Sequence, residues 1–120
     1  GGKMEQGTRD YIVAKTKEMI AVDYCCEEAK AAGEAFLKVA GTAEEDAQMK
    51  AYVAELKEDL LSIEELIAFA KSENAVKCFG EDDAREMLKH AEERKAAGEK
   101  FCDCEACAAA AAIIDKVETN

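Results

Sequence analysis

The chain has 120 residues, with 16 Lys and Arg against 27 Asp and Glu, and its formal net charge is −11 at pH 7. This charge repels phosphate backbones and anionic lipid, so we expect neither a nucleic acid nor a membrane as partner and regard a basic protein as the possible macromolecular partner. No apolar run approaches the roughly 18 residues of a membrane-spanning helix, and no signal-peptide pattern opens the chain. We therefore expect a cytoplasmic protein whose six cysteines are reduced.

Composition also indicates the fold class. Proline is absent, β-branched residues are few, and residues with high helix propensity dominate. The sequence therefore predicts an all-α fold, a helical bundle of five to six helices. Its length fits a single domain, which we place at residues 4–120. Residues 1–3 precede the first methionine and are interpreted as the remnant of an expression tag.

The first half of the chain contains three predicted helices. The first runs from about Thr8 to Val22 and the second from about Cys26 to Ala40, where a glycine follows as a stop signal. Thr42 and Glu45 have the spacing of a capping box and predict the start of the third helix. Its apolar stripe is the clearest in the chain and consists of Met49, Tyr52, Val53, Leu56 and Leu60.

The second half begins with another capping box, formed by Ser62 and Glu65. It opens a helical stretch over residues 63–79 that we count as one broken element. A long helix is predicted from Glu81 to about Ala97, between two glycines. The last helix is predicted from about Cys104 to Glu118, with an alanine-rich start that permits close approach to its neighbours.

Three thiols lie within six residues, at Cys102, Cys104 and Cys107, where a loop enters the last helix. Asp103 is the expected N-cap, which makes Cys104 the first helical residue and Cys107 the fourth. Residues three apart on a helix have β-carbons about 5–6 Å apart, so both sulfurs can reach one ion. The helix dipole favours thiolate over thiol at this terminus. The spacing therefore predicts a metal site with Cys102 as the third ligand, from the loop.

A tetrahedral site needs a fourth ligand, for which the sequence offers Cys25, Cys26, Cys78 and His90. If the helices alternate in direction, the corner between the first two helices lies at the same end as the start of the last helix. We therefore favour Cys25 as the fourth ligand. Cys26 and Cys78 are interpreted as packing residues, and His90 as a partly buried structural residue beside an apolar stripe.

The cysteine spacing predicts that the protein binds one metal ion and is not an enzyme. Zinc is the first choice because four thiolates suit a closed tetrahedral site, and an iron–sulfur cluster is the alternative. One competing hypothesis is a thiol-disulfide redox protein that uses Cys104 and Cys107, although no βαβ pattern surrounds them. Another is a structural or adaptor protein with an acidic surface and no site. No catalytic triad, phosphate loop or dinucleotide fingerprint supports an enzyme.

Several segments carry a resemblance to a known group of sequences. They are Ala40-Gly41-Thr42, Leu66-Ile67-Ala68-Phe69-Ala70, Phe79-Gly80, His90-Ala91, and the stretch from Gly98 to Cys107, which contains Cys-Asp-Cys-Glu-Ala-Cys. Over most of its length the chain resembles an uncharacterised family of small, acidic, all-helical proteins of anaerobic bacteria with a C-terminal Cys-Asp-Cys-x-Ala-Cys motif. The resemblance implies a self-contained helical fold and draws attention to the same cysteines. Some members carry the name of a large heat-shock chaperone, which this chain does not support because it contains no nucleotide-binding motif.

Overall fold

The computed structural model describes residues 4–23 and 25–119, and residues 1–3, interpreted as a tag remnant, lie outside them. The described residues contain seven helices and no strand, so the prediction of an all-α fold is confirmed. The predicted number of helices, five to six, was wrong, because the described residues form seven. The helices are α1 (Gln6–Ile20), α2 (Glu27–Val39), α3 (Glu45–Asp59), α4 (Ile63–Ala70), α5 (Glu73–Phe79), α6 (Glu81–Ala96) and α7 (Glu105–Thr119).

The additional helix arises because residues 63–79 form two separate helices. Ser72 separates them and caps α5, since its hydroxyl accepts a hydrogen bond of 3.2 Å from the Ala75 N–H. Ser62 caps α4 in the same way through the Glu65 N–H at 3.1 Å, which confirms the serine half of the predicted capping box. Between α5 and α6 lies Gly80, whose φ of 88° is a conformation that residues with a side chain rarely adopt.

The capping box predicted at Thr42 and Glu45 is absent. The third helix begins at Glu45, and its N-cap Glu44 makes no side-chain cap bond. The Glu45 carboxylate instead accepts a hydrogen bond of 2.6 Å from the Gly41 N–H and forms an ion pair with Arg9 of α1. A tertiary partner has therefore replaced the local one, and Glu45 is buried as a result.

The chain divides into two compact units, and the first contains residues 4–60 and 103–119. In this unit α1 and α3 each pack against both α2 and α7, so four helices surround one core. Phe36 and Tyr52 stack at its centre, with ring centroids 5.4 Å apart. The buried residues of this core are Ile12, Met19, Val22, Cys25, Ala29, Phe36, Met49, Tyr52, Leu56, Ala109, Ala110 and Ile113.

Within the first unit, α7 runs antiparallel to α1. Lys116, near the end of α7, lies 5.3 Å from the ring centroid of Tyr11, in the first half of α1. Glu105, in the first turn of α7, lines the same surface cavity as Glu18, near the end of α1. The start of α7 therefore lies at the end of the unit where α1 passes into α2.

The second unit consists of residues 61–102, in which α6 packs against α4 and α5. Its core is thin, because alanines supply most of the buried positions and the exposed fractions of Val76 and Phe79 are 43% and 45%. The buried residues are Ile63, Leu66, Ala70, Ala75, Ala84, Ala91 and Cys102. The single-domain assignment stays a prediction. No described helix has both the length and the apolar character needed to cross a bilayer.

Candidate metal centre

The three cysteines around the start of α7 converge. The Sγ atoms of Cys102, Cys104 and Cys107 all lie within 4.8 Å of one another. A tetrahedral zinc ion with Zn–S bonds near 2.3 Å requires sulfurs about 3.8 Å apart. Small side-chain rotations are therefore enough to bring the three sulfurs onto one ion. Within residues 4–23 and 25–119, no other group of three or more Cys, His, Asp or Glu side chains meets this criterion.

Cys104, and not Asp103, is the N-cap of α7. The Cys104 carbonyl accepts the first helical hydrogen bond from the Ala108 N–H at 2.8 Å, and helix α7 begins one residue later. Its Sγ accepts a hydrogen bond of 3.4 Å from the Cys107 N–H. The sulfur thus occupies the place of a capping oxygen, where a backbone N–H and the helix dipole both stabilise negative charge on it. The thiolate is the metal-binding form of cysteine.

Two hydrogen bonds hold the backbone of the segment that carries Cys102. Its N–H donates to the Leu61 carbonyl at 2.9 Å. In the preceding residue, the Phe101 carbonyl accepts a hydrogen bond of 2.8 Å from the Arg94 guanidinium. Cys102 is buried, whereas Cys104 and Cys107 are half-buried. The group therefore has one ligand held in place by the fold and two that an ion can reach from solvent.

Cys25 lies outside this three-sulfur group. It is buried with 7% exposure, and burial is the main cause that raises the pKa of its thiol, followed by the neighbouring Cys26. Smaller contributions come from Asp59 and Cys104, while Lys30 opposes them. The contribution of Cys104 means that the two thiols lie within electrostatic range of each other. The role of Cys25 as fourth ligand stays a prediction.

Two other cysteines were misplaced by the sequence analysis. Cys26 and Cys78 are both exposed, so their interpretation as packing residues was wrong. Cys26 is the N-cap of α2, outside the first turn of the helix. Cys78 lies on α5, where only Ala75 is buried, because a helix this short covers little of its surface. Neither thiol belongs to the converging group.

His90 is exposed on α6 and is not part of the group, so its expected partial burial was also wrong. Ala84 and Ala91, seven residues apart, are the buried residues of this helix. His90 precedes Ala91, and adjacent residues diverge by about 100° around a helix, which turns the imidazole away from the buried face. A single apolar neighbour in the sequence was not enough to predict burial.

A carboxyl pair beside the first cysteines escaped the sequence analysis. Glu55 and Asp59 lie one turn apart on α3 and share a hydrogen bond, which raises the pKa of the Glu55 carboxyl. At Cys26, partial shielding from water and the nearby carboxylates of Asp59 and Glu28 raise the pKa of the thiol. The spacing of two like charges at positions i and i+4 was the available signal. It resembles the many acidic pairs that simply face solvent.

Comparisons with family models, curated proteins and solved structures find no match to this chain. The functional interpretation therefore rests on the geometry of the cysteine group itself.

Proposed function

We propose that this protein binds one metal ion through the thiolates of Cys102, Cys104 and Cys107, with Cys25 as the fourth ligand. The observation that carries the proposal is the convergence of three sulfurs within 4.8 Å of one another. Three thiols this close together can bind one ion with little further ordering of the chain. The proposed role is binding, and it includes no catalytic step.

Zinc is the ion that suits this donor set best. Four thiolates around a tetrahedral ion form a closed structural site, and zinc is the usual occupant of such sites. The half-buried positions of Cys104 and Cys107 give the ion a path of entry. An iron–sulfur cluster is the alternative for four thiolates, and its colour separates it from colourless zinc in the purified protein.

Two observations support Cys25 over the other candidates for the fourth ligand. It lies at the same end of the first unit as the start of α7, and Cys104 is the smallest of the contributions that raise the pKa of its thiol. Cys26, in contrast, is exposed and caps α2.

The test is elemental analysis of protein purified under reducing conditions without chelator. We expect about one equivalent of zinc, and loss of metal in the single variants Cys102→Ser, Cys104→Ser and Cys107→Ser. Cys78→Ser is the matched control, because this thiol is exposed and lies outside the group. Metal-free protein with six freely reactive thiols would contradict the proposal, as would equal metal loss in the control.

The fourth ligand is tested separately by Cys25→Ser and Cys26→Ser. The first variant should bind zinc more weakly, and the second should bind it like the wild type. Helical content measured by circular dichroism shows whether Cys25→Ser still folds. Equal affinity of both variants and the wild type would assign the fourth position to another ligand or to water.

A further inference from the structure

The four proposed ligand residues differ in exposure. Cys102 and Cys25 have exposed fractions of 8% and 7%, whereas Cys104 and Cys107 are half-buried. A reagent from solvent therefore reaches Cys104 and Cys107 more readily than the other two thiols. We call Cys104 and Cys107 the outer pair, because they are the two proposed ligands that solvent reaches more readily.

The outer pair also has the spacing of a disulfide. Cys104 is the N-cap of α7 and Cys107 lies in its first turn, three residues later, a separation that in a helix places α-carbons about 5 Å apart. Disulfides form between α-carbons roughly 4.4–6.8 Å apart. Their sulfurs are already within 4.8 Å of each other. The spacing of the pair is therefore compatible with a disulfide.

We assign the first attack to Cys104, because it is the N-cap at the outer end of α7, whereas Cys107 lies inside the helix. The Cys104 sulfur accepts a hydrogen bond of 3.4 Å from the Cys107 N–H, which places the two residues side by side. Attack on a disulfide proceeds through the thiolate. Cys107 lies one turn further along and is positioned to attack the sulfur of Cys104 afterwards.

We propose that this metal site is controlled by oxidation: a small-molecule disulfide oxidises Cys104 and Cys107 to an intramolecular disulfide, and the metal ion is released. This inference rests on the proposed function. The Cys104 thiolate attacks one sulfur of the small disulfide, whose S–S bond breaks and expels a thiolate. The Cys107 thiolate then attacks Cys104 and expels the second small thiolate. Two electrons pass from the protein to the small disulfide, and two small thiols result.

Metal release follows from the loss of ligands. After oxidation the ion keeps only Cys102 and Cys25 from the proposed set, and two thiolates do not complete a tetrahedral site. Reduction by an excess of a small thiol reverses both exchange steps and restores the four ligands. The site would therefore hold metal under reducing conditions and release it under oxidising ones.

The experiment titrates zinc-loaded protein with oxidised glutathione in the absence of oxygen. A chromogenic chelator follows zinc release, and peptide mapping locates the disulfide. We expect one zinc released for each Cys104–Cys107 disulfide, together with two molecules of reduced glutathione. Cys107→Ser should stop at a mixed disulfide between Cys104 and one glutathione. Cys78→Ser should behave as the wild type, apart from any glutathione that the wild type carries on that exposed thiol.

Oxidation at a different pair, or zinc release without the Cys104–Cys107 disulfide, would overturn the inference. Zinc that stays bound at full oxidation would do the same while leaving the proposed function intact. The same titration on metal-free protein tests the pairing alone. A Cys104–Cys107 disulfide in a protein that never binds metal would overturn the proposed function together with metal release.

Discussion

The hydroxyl oxygens of Thr16 and Tyr52 lie 2.8 Å apart, and both side chains have 0% exposure. Each hydroxyl is the polar partner of the other in an otherwise apolar core. Burial raises the pKa of Tyr52 to about 12, so the phenol stays protonated and can share the hydrogen bond. The stacked ring of Phe36 holds Tyr52 in the orientation that this bond requires. The pair links α1 to α3 across the first unit.

Tyr52→Phe should therefore lower the free energy of unfolding by about 1–2 kcal/mol, because it leaves the Thr16 hydroxyl buried without a partner. Thr16→Val should cost a similar amount for the reverse reason. The double variant should lose less than the sum of the two, since neither hydroxyl remains. Urea unfolding measures all three. Strictly additive losses would show that the two hydroxyls do not stabilise each other.

Glu45→Gln should destabilise the first unit by about 1.5–3 kcal/mol at neutral pH, the range for hydrogen bonds to charged groups. The Arg9 guanidinium is the main cause that holds the pKa of Glu45 below its ordinary value of 4.5. A depressed pKa stabilises the fold above the ordinary value, and this stabilisation is lost as the pH falls through the folded value.

The difference in stability between wild type and Glu45→Gln should therefore shrink below about pH 4.5. Thermal unfolding from neutral to acidic pH measures this difference. Glu44→Gln is the matched control, because Glu44 is exposed and loses the same charge one residue away. A difference that stays constant with pH would mean that the ion pair contributes nothing through the Glu45 carboxylate.

Glu55→Gln should have the opposite effect and stabilise the protein at neutral and alkaline pH. The hydrogen bond with Asp59 is the main cause that raises the pKa of Glu55. A raised pKa stabilises the fold below the ordinary value, and this stabilisation is lost as the pH rises through the folded value. The amide keeps a hydrogen-bond donor and removes the repulsion.

The gain from Glu55→Gln should be largest near pH 8 and fall toward about pH 4, where the wild-type carboxyl is protonated. Chemical unfolding at both pH values measures it. Glu58→Gln, which alters an exposed carboxylate on the same helix, serves as the control. An equal gain in the control would assign the effect to net charge and not to the carboxyl pair.

Gly33→Ala and Gly7→Ala should change stability in opposite directions. A β-carbon at Gly33 would lie 3.1 Å from Cγ2 of Thr16 and 3.2 Å from Cδ1 of Ile20, while nothing lies within 4 Å of one at Gly7. Both glycines are helical, so alanine favours the helix by roughly 0.5–1 kcal/mol at either position.

At Gly33 the crowding should exceed this gain, since overpacking typically costs about 1–3 kcal/mol. Thr16 has little freedom to move, because its side chain is branched and its hydroxyl is held by Tyr52. Thermal unfolding of the two variants provides the comparison. A more stable Gly33→Ala would show that α1 can shift away from α2 without cost.

Helical periodicity predicted the core of the first unit well, because the apolar stripe of a long helix is the face that packs against its neighbours. Met49, Tyr52 and Leu56 are buried as the stripe of α3 indicates. The same reasoning was less accurate in residues 61–102, where the helices are shorter and alanines supply most of the buried positions. Phe79 is exposed there although an aromatic residue in a helix usually packs inward.

The candidate site was predicted where local geometry decides it and missed where a cap or a tertiary contact decides it. Spacing alone brought Cys104 and Cys107 onto one turn. The sequence predicted Asp103 as the N-cap, but the structure has Cys104 there, with a thiol in place of the usual oxygen. N-cap residue preferences do not indicate a cysteine. The burial of Glu45 depends on Arg9, 36 residues earlier in the chain.

The antiparallel bridge between Ser62 and Phe101 means that residues 61–102 begin and end at one place. Backbone hydrogen bonds join Ile63 to Lys100 and Cys102 to Leu61, so the two ends of this segment are paired with each other. In topological terms the segment is an insertion between α3 and α7, and such insertions tolerate changes in length because loop-closure entropy grows slowly. Lengthening or shortening it near the exposed α5–α6 turn would leave the backbone pairing beside Cys102 unchanged.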